Sequence, residues 1–139
     1  MDTKRFLTGT IVGGVVLYAV GYLIFNMMFG SFYAANGGSA TGVDRSPQIE
    51  WAVLLGSFGY AALICYAMGA RGALGLSGGA KVGAIVGLLI WLTADFILYG
   101  STNMSNLTIT IVDPLLEVIH GGIAGAAIGL VAQKMKPAS

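Results

Sequence analysis

Asp95, Asp113, Glu117 and His120 are the residues whose types and spacing could do chemistry in this chain. Three carboxyls and one imidazole can take up protons, hold a cation or a polar ligand, or share a metal ion. The chain has only six acidic residues and one histidine, and four of these seven fall inside or at the edge of long apolar segments. Ionisable groups at membrane depth are expensive and persist where they face a partner, a cavity or a transported ion.

Asp113, Glu117 and His120 follow i, i+4, i+7 spacing. On a helix running from Asp113 onward they occupy one face within about 60° of arc. Counted inward from the ends of their segments, Asp95 and Glu117 are expected at similar depth, which would bring all four groups to one pocket. Burial would make Glu117, His120 and Asp95 titrate as a coupled unit. Each has a structural alternative. Asp113-Pro114 reads as an N-cap followed by proline at the first helical position. Asp95 could be satisfied by Thr93, Tyr99 or loop amides, and His120 could be a hydrogen-bonding core residue.

Which metal, if any, would suit the cluster is open. Glu117-x-x-His120 is half of a di-iron carboxylate motif, but a single histidine leaves the second half to another copy of the chain. A mononuclear site of Asp95, Glu117 and His120 matches the residues present better. No nucleophile–base pair, phosphate-binding glycine loop or zinc-protease motif occurs, so an enzyme is not expected and no cofactor is indicated. Cys65 lies in an apolar run and reads as a small buried residue.

The elements that must position these groups are transmembrane helices. Hydrophobic residues make up 56% of the 139 and charged residues 9%, with a mean hydropathy of +0.82. A soluble domain would carry about a quarter charged residues. Four spans are legible, at about 6–29, 51–68, 82–99 and 114–132, each near the roughly 20 residues a helix needs to cross the hydrocarbon. Helices are required because lipid satisfies no open backbone group. The first span begins after Lys4 and Arg5 but is too long for a signal peptide, and it reads as a retained helix. The fold class is therefore all-α, an integral membrane four-helix bundle in a single transmembrane domain, residues 1–139, with an outer loop over 30–50. A net charge of +1 with no basic cluster excludes a nucleic-acid surface.

Lys4, Arg5, Arg71, Lys81, Lys134 and Lys136 fall on one side of such a bundle and only Arg45 on the other. The positive-inside rule then places both termini in the cytoplasm. Trp51, Tyr99, Phe32 and Tyr33 sit where aromatics anchor helices at the outer interface. Two glycosylation-type triplets, at Asn103 and Asn106, carry little weight outside a eukaryotic secretory pathway.

Glycine at four-residue spacing marks the packing faces. Gly79, Gly83 and Gly87 in the third segment and Gly121, Gly125 and Gly129 in the fourth are expected to meet in an antiparallel pair; Gly9 and Gly13 form a shorter stripe in the first. Val12 to Gly30 also aligns weakly with Val82 to Gly100, placing Phe25 where Asp95 stands.

The aromatic-rich end of the first span (Phe25 to Tyr33), Ala94-Asp95-Phe96 in the third and Gly125-Ala126-Ala127-Ile128 in the fourth carry a resemblance. The chain resembles small four-helix bacterial inner-membrane proteins classified only as domains of unknown function. That resemblance implies a bundle in a bacterial cytoplasmic membrane and no catalytic residue. Two functions are then expected. One is binding or transport of a proton, cation or small polar ligand by Asp95, Glu117, His120 and Asp113. The other is an accessory role, in which glycine-rich faces dock on a second copy or a larger membrane complex.

The orientation is directly testable. With Cys65 replaced by Ala, Ser39→Cys should react with an impermeant thiol reagent in intact cells, and Ser77→Cys should not. Labelling at position 77 would overturn the four-span arrangement with both termini inside.

Overall fold

Asp2 caps the first helix by accepting the Arg5 backbone N–H at 3.0 Å. That bond holds its carboxyl below the usual range. The computed structural model describes residues 1–135; Lys136, counted above among the basic residues of one end, lies outside them. Helix α1 spans Thr3–Gly21 and continues without a break into a π-helical stretch, Tyr22–Met28. A six-residue helix α2, Gly30–Ala35, follows inside the segment expected to be a loop. Helix α3 is Glu50–Arg71, α4 is Gly75–Ser101 and α5 is Leu107–Lys134.

The three longest helices exceed their expected bounds, for identifiable reasons. Helix α4 starts seven residues earlier than 82, through a Gly/Ser-rich stretch that has poor helix propensity. There Gly75 and Gly79 lie against the backbone of Gly129 and Gly125, and that packing overrides propensity. Helix α5 starts at Leu107 because Asn106 accepts the Ile109 N–H at 3.0 Å. Asp113 is therefore not an N-cap. It sits two turns inside the helix beside Pro114, whose ring removes only one backbone donor there. Helix α3 ends where Gly72, at φ 62°, turns the chain left-handed and donates to the Gly69 and Met68 carbonyls.

With mean hydropathies of 1.7 to 2.0 over their best windows, the first span (Thr3–Met28) and α3, α4 and α5 are each long and apolar enough to cross a membrane. The protein is a polytopic all-α membrane protein. Large apolar residues such as Ile11, Leu55, Ile97 and Ile119 point outward, as lipid contact requires. Both described ends of the chain meet at one end of the bundle, where Arg5 Nη2 donates to the Met135 carbonyl at 2.6 Å. At the far end the two connections are stitched together: Gly38 N–H donates to Met104 O, and Ala40 N–H to Asn103 O.

The core divides by polarity along its length. Toward the terminal end, Leu17, Ala61, Ile64, Cys65, Met68 and Ile128 pack without solvent exposure above 1%. Gly9 and Gly13 let α1 approach Cys65, Ala61 and Ile128. The α4–α5 contact is tighter. A Cβ on Gly83 would overlap the Gly121 carbonyl oxygen and stand 2.9 Å from Gly125 Cα; Gly79 meets Gly125 and Gly129 in the same way. The two helices touch backbone to backbone, the arrangement that lipid-embedded helices use in place of a hydrophobic drive.

This contact separates two kinds of glycine. Gly83→Ala should force α4 and α5 apart and lower the thermal midpoint in detergent, at a cost of about 1–3 kcal/mol or more. Gly59→Ala in α3 meets nothing within 4 Å and should be neutral or stabilising, since alanine is the better helix former by up to about 1 kcal/mol. Equal small effects at both positions would show that the close contact is absent.

Candidate functional site

The seam between α4 and α5 fixes which polar groups meet. Gly75 faces Gly129, Gly79 faces Gly125, Gly83 faces Gly121 and Gly87 faces the Glu117 backbone. Each turn outward on α4 thus matches one turn outward on α5. Continued by two turns, this register sets Asp95 level with Ile109, one turn outward of Asp113. Asp95 stands two turns beyond Gly87, about 12 Å along the axis from the level of Glu117. The expectation that Asp95 and Glu117 share one depth is therefore wrong.

All four groups are buried, with exposures of 8% for Asp95, 7% for Asp113, 1% for Glu117 and 7% for His120. Asp95 Oδ2 has no hydrogen-bond partner among the described residues. Thr93 does not serve Asp95; its hydroxyl turns back to the Leu89 carbonyl. Asp113 Oδ1 accepts the Tyr33 hydroxyl, which ties α2 to α5. Burial, and then the Asp113 carboxyl, push the Tyr33 phenol above its usual value, so it stays a donor.

Glu117 and His120 form a pair. His120 Nε2 stands 2.8 Å from the Leu17 carbonyl oxygen on α1. A carbonyl only accepts, so Nε2 carries hydrogen. His120 Nδ1 lies 2.9 Å from Glu117 Oε2, and that contact holds one proton, on oxygen as an acid–imidazole pair or on nitrogen as an ion pair. The pair has zero net charge either way. Tyr60 of α3 donates to the same Glu117 oxygen at 3.3 Å, so this pair joins three long helices. Phe25 and Tyr60 meet the imidazole edge-on, with ring centroids 5.4 and 6.0 Å away. Gly21 makes room for it, since a Cβ there would lie 3.2 Å from the ring.

This arrangement does not gather Asp95, Glu117 and His120 around one point. Among the described residues no three His, Cys, Asp or Glu side chains come together as a ligand set for a metal ion. The mononuclear site considered from sequence is not formed, because the seam sets Asp95 two turns outward of the level of Glu117, while the i, i+3 spacing brings His120 to Glu117.

A cleft of about 710 Å³ opens onto the cluster, within the range of sites for small organic ligands. Asp113, Glu117 and His120 line it, together with aromatic side chains from the π-helical stretch, α2, α3 and α4, and among the described residues no Lys or Arg does. Trp91, whose indole N–H is buried without an acceptor among the described residues, is part of the lining. At its edge the Tyr18 hydroxyl donates to Glu50 Oε2 at 2.6 Å. The seven-residue π-helical stretch supplies Tyr22, Phe25 and Asn26 to the same wall; such stretches are rare and frequent at functional sites.

Tyr33, Tyr60, Trp91 and the Leu17 carbonyl are site groups that sequence reading missed. Tyr60 left a signal, being a tyrosine in the middle of a span instead of at an interface. Tyr33 had the position of an interfacial anchor, and nothing local distinguishes the two roles.

No family model matches this chain, and neither the curated proteins nor the solved structures contain a match. Fold and site together define a polytopic helical membrane protein with three carboxyls and a histidine buried between its helices. The resemblance to bacterial inner-membrane proteins extends to the four apolar spans and identifies no family.

Proposed function

We propose that this protein binds a small polar or cationic ligand, as a binding or transport protein, in the cleft floored by Asp113, Glu117 and His120. The observation that carries this reading is a ligand-sized cleft ending on ionisable groups that are otherwise paired with one another. A cluster serving only to join helices needs no such opening. Its donors and acceptors would close on themselves and be covered. The resemblance noted from the sequence supports a bacterial cytoplasmic membrane, and the basic residues at the terminal end support an orientation with both termini inside, which puts the cleft in the outer half of the bundle.

The reading is tested by thermal unfolding against a panel of organic amines, inorganic cations, neutral polar solutes and anions. At least one of the first three classes should raise the midpoint of the wild-type protein. The gain should vanish in Glu117→Gln and in Gly59→Phe, which fills the cleft at a lining position with open space. If no class stabilises the wild type and Glu117→Gln is merely less stable, the cluster is structural, and docking on a second copy or a larger complex takes the place of ligand binding.

A further inference from the structure

Resting on that reading, we infer that the cleft takes an organic monocation with an apolar body and that this cation competes with a proton for the Asp113 carboxyl. The ligand class follows from the lining. An inorganic cation needs a close cage of oxygen ligands, and the described residues gather no such set. An anion would meet carboxyls and, among the described residues, no Lys or Arg. A wholly apolar ligand would leave the buried acids nothing to do. Tyr18, Tyr22, Phe25, Tyr60 and Trp91 offer ring faces and edges around a volume far larger than a bare ion requires. Aromatic walls over a carboxyl floor hold an organic cation by cation–π attraction and by burial of its apolar groups.

The charge count supplies the second half. Asp113 lines the cleft, is 7% exposed and accepts the neutral Tyr33 hydroxyl. Ionised, it carries a single negative charge. The titratable groups around it do not cancel this charge. Tyr33 from α2 and Tyr60 from α3 are neutral donors, Asp95 of α4 is another acid, Glu117 and His120 of α5 are neutral as a pair, and α1 presents Tyr18 and the Leu17 carbonyl. An uncompensated charge in this setting is costly. A bound monocation neutralises it. Without a ligand, a proton on Asp113 achieves the same neutrality. Cation binding therefore releases that proton to water as the Asp113 O–H bond breaks, and affinity rises with pH.

Tetraphenylphosphonium and tetraphenylborate share shape and differ in sign, which makes them a matched probe pair. Calorimetry of the protein in lipid nanodiscs, with empty nanodiscs subtracted, should show saturable binding of the phosphonium and none of the borate. Phosphonium affinity should rise by up to about tenfold per pH unit where one proton competes. Asp113→Asn should weaken it by about tenfold or more and flatten the pH dependence. Should that variant fail to fold, the two probes and the pH series in wild-type protein still decide. Equal binding of both probes, or phosphonium binding indifferent to pH, would sink the cation–proton inference while leaving the cleft a ligand site. Failure of the phosphonium alone, with another ligand class stabilising the protein, has the same meaning. Silence from every ligand class would remove the reading beneath it.

Discussion

The backbone contact between α4 and α5 is the constraint on which the rest of the structure depends. Four glycine-lined levels, from Gly75 against Gly129 to Gly87 against Glu117, leave no room for a Cβ between the two helices. The contact fixes how closely α4 and α5 approach and which levels of the two helices face each other. Asp95 is carried outward of the level of Glu117, and Glu117 is left to His120. The seam also explains why so apolar a chain tolerates buried acids: tight packing toward the terminal end carries the helix association, and the other half is free to be polar.

Lipid sets the second condition. A buried donor or acceptor in hydrocarbon calls for a partner within the protein, and most of the cluster finds one on another helix. His120 reaches α1 through the Leu17 carbonyl, Glu117 reaches α3 through Tyr60, and Asp113 reaches α2 through Tyr33. The bonds that satisfy Glu117 and His120 make their protonation collective, and a change at Glu117 bears on both α1 and α3.

Much of this was legible in the chain, unevenly. The four spans follow from hydropathy alone, and the glycine stripes at four-residue spacing are readable because so few residues allow helices to touch. One face of α5 was readable from i, i+4, i+7 periodicity. The depth of Asp95 was not, since counting inward from expected helix ends fails when both ends are wrong. Helix α4 begins in a Gly/Ser stretch that only tertiary contact makes helical, and α5 begins at Asn106, an N-cap eclipsed in the sequence by the more conspicuous Asp113-Pro114. Tyr33 and Tyr60 come from elements remote in sequence, and only the folded arrangement brings their hydroxyls to the acids. The cleft, a property of helix divergence, leaves no trace in composition.

The claim at the centre of this account is that His120 and Glu117 act as one proton-holding unit anchored on α1. Nitrogen NMR of selectively labelled His120 in lipid nanodiscs, followed across pH, tests it most directly. Nε2 should remain protonated throughout, bonded to the Leu17 carbonyl, while any change is confined to Nδ1 and its midpoint moves in Glu117→Gln. Loss of hydrogen from Nε2, or a titration that ignores Glu117→Gln, would contradict the network.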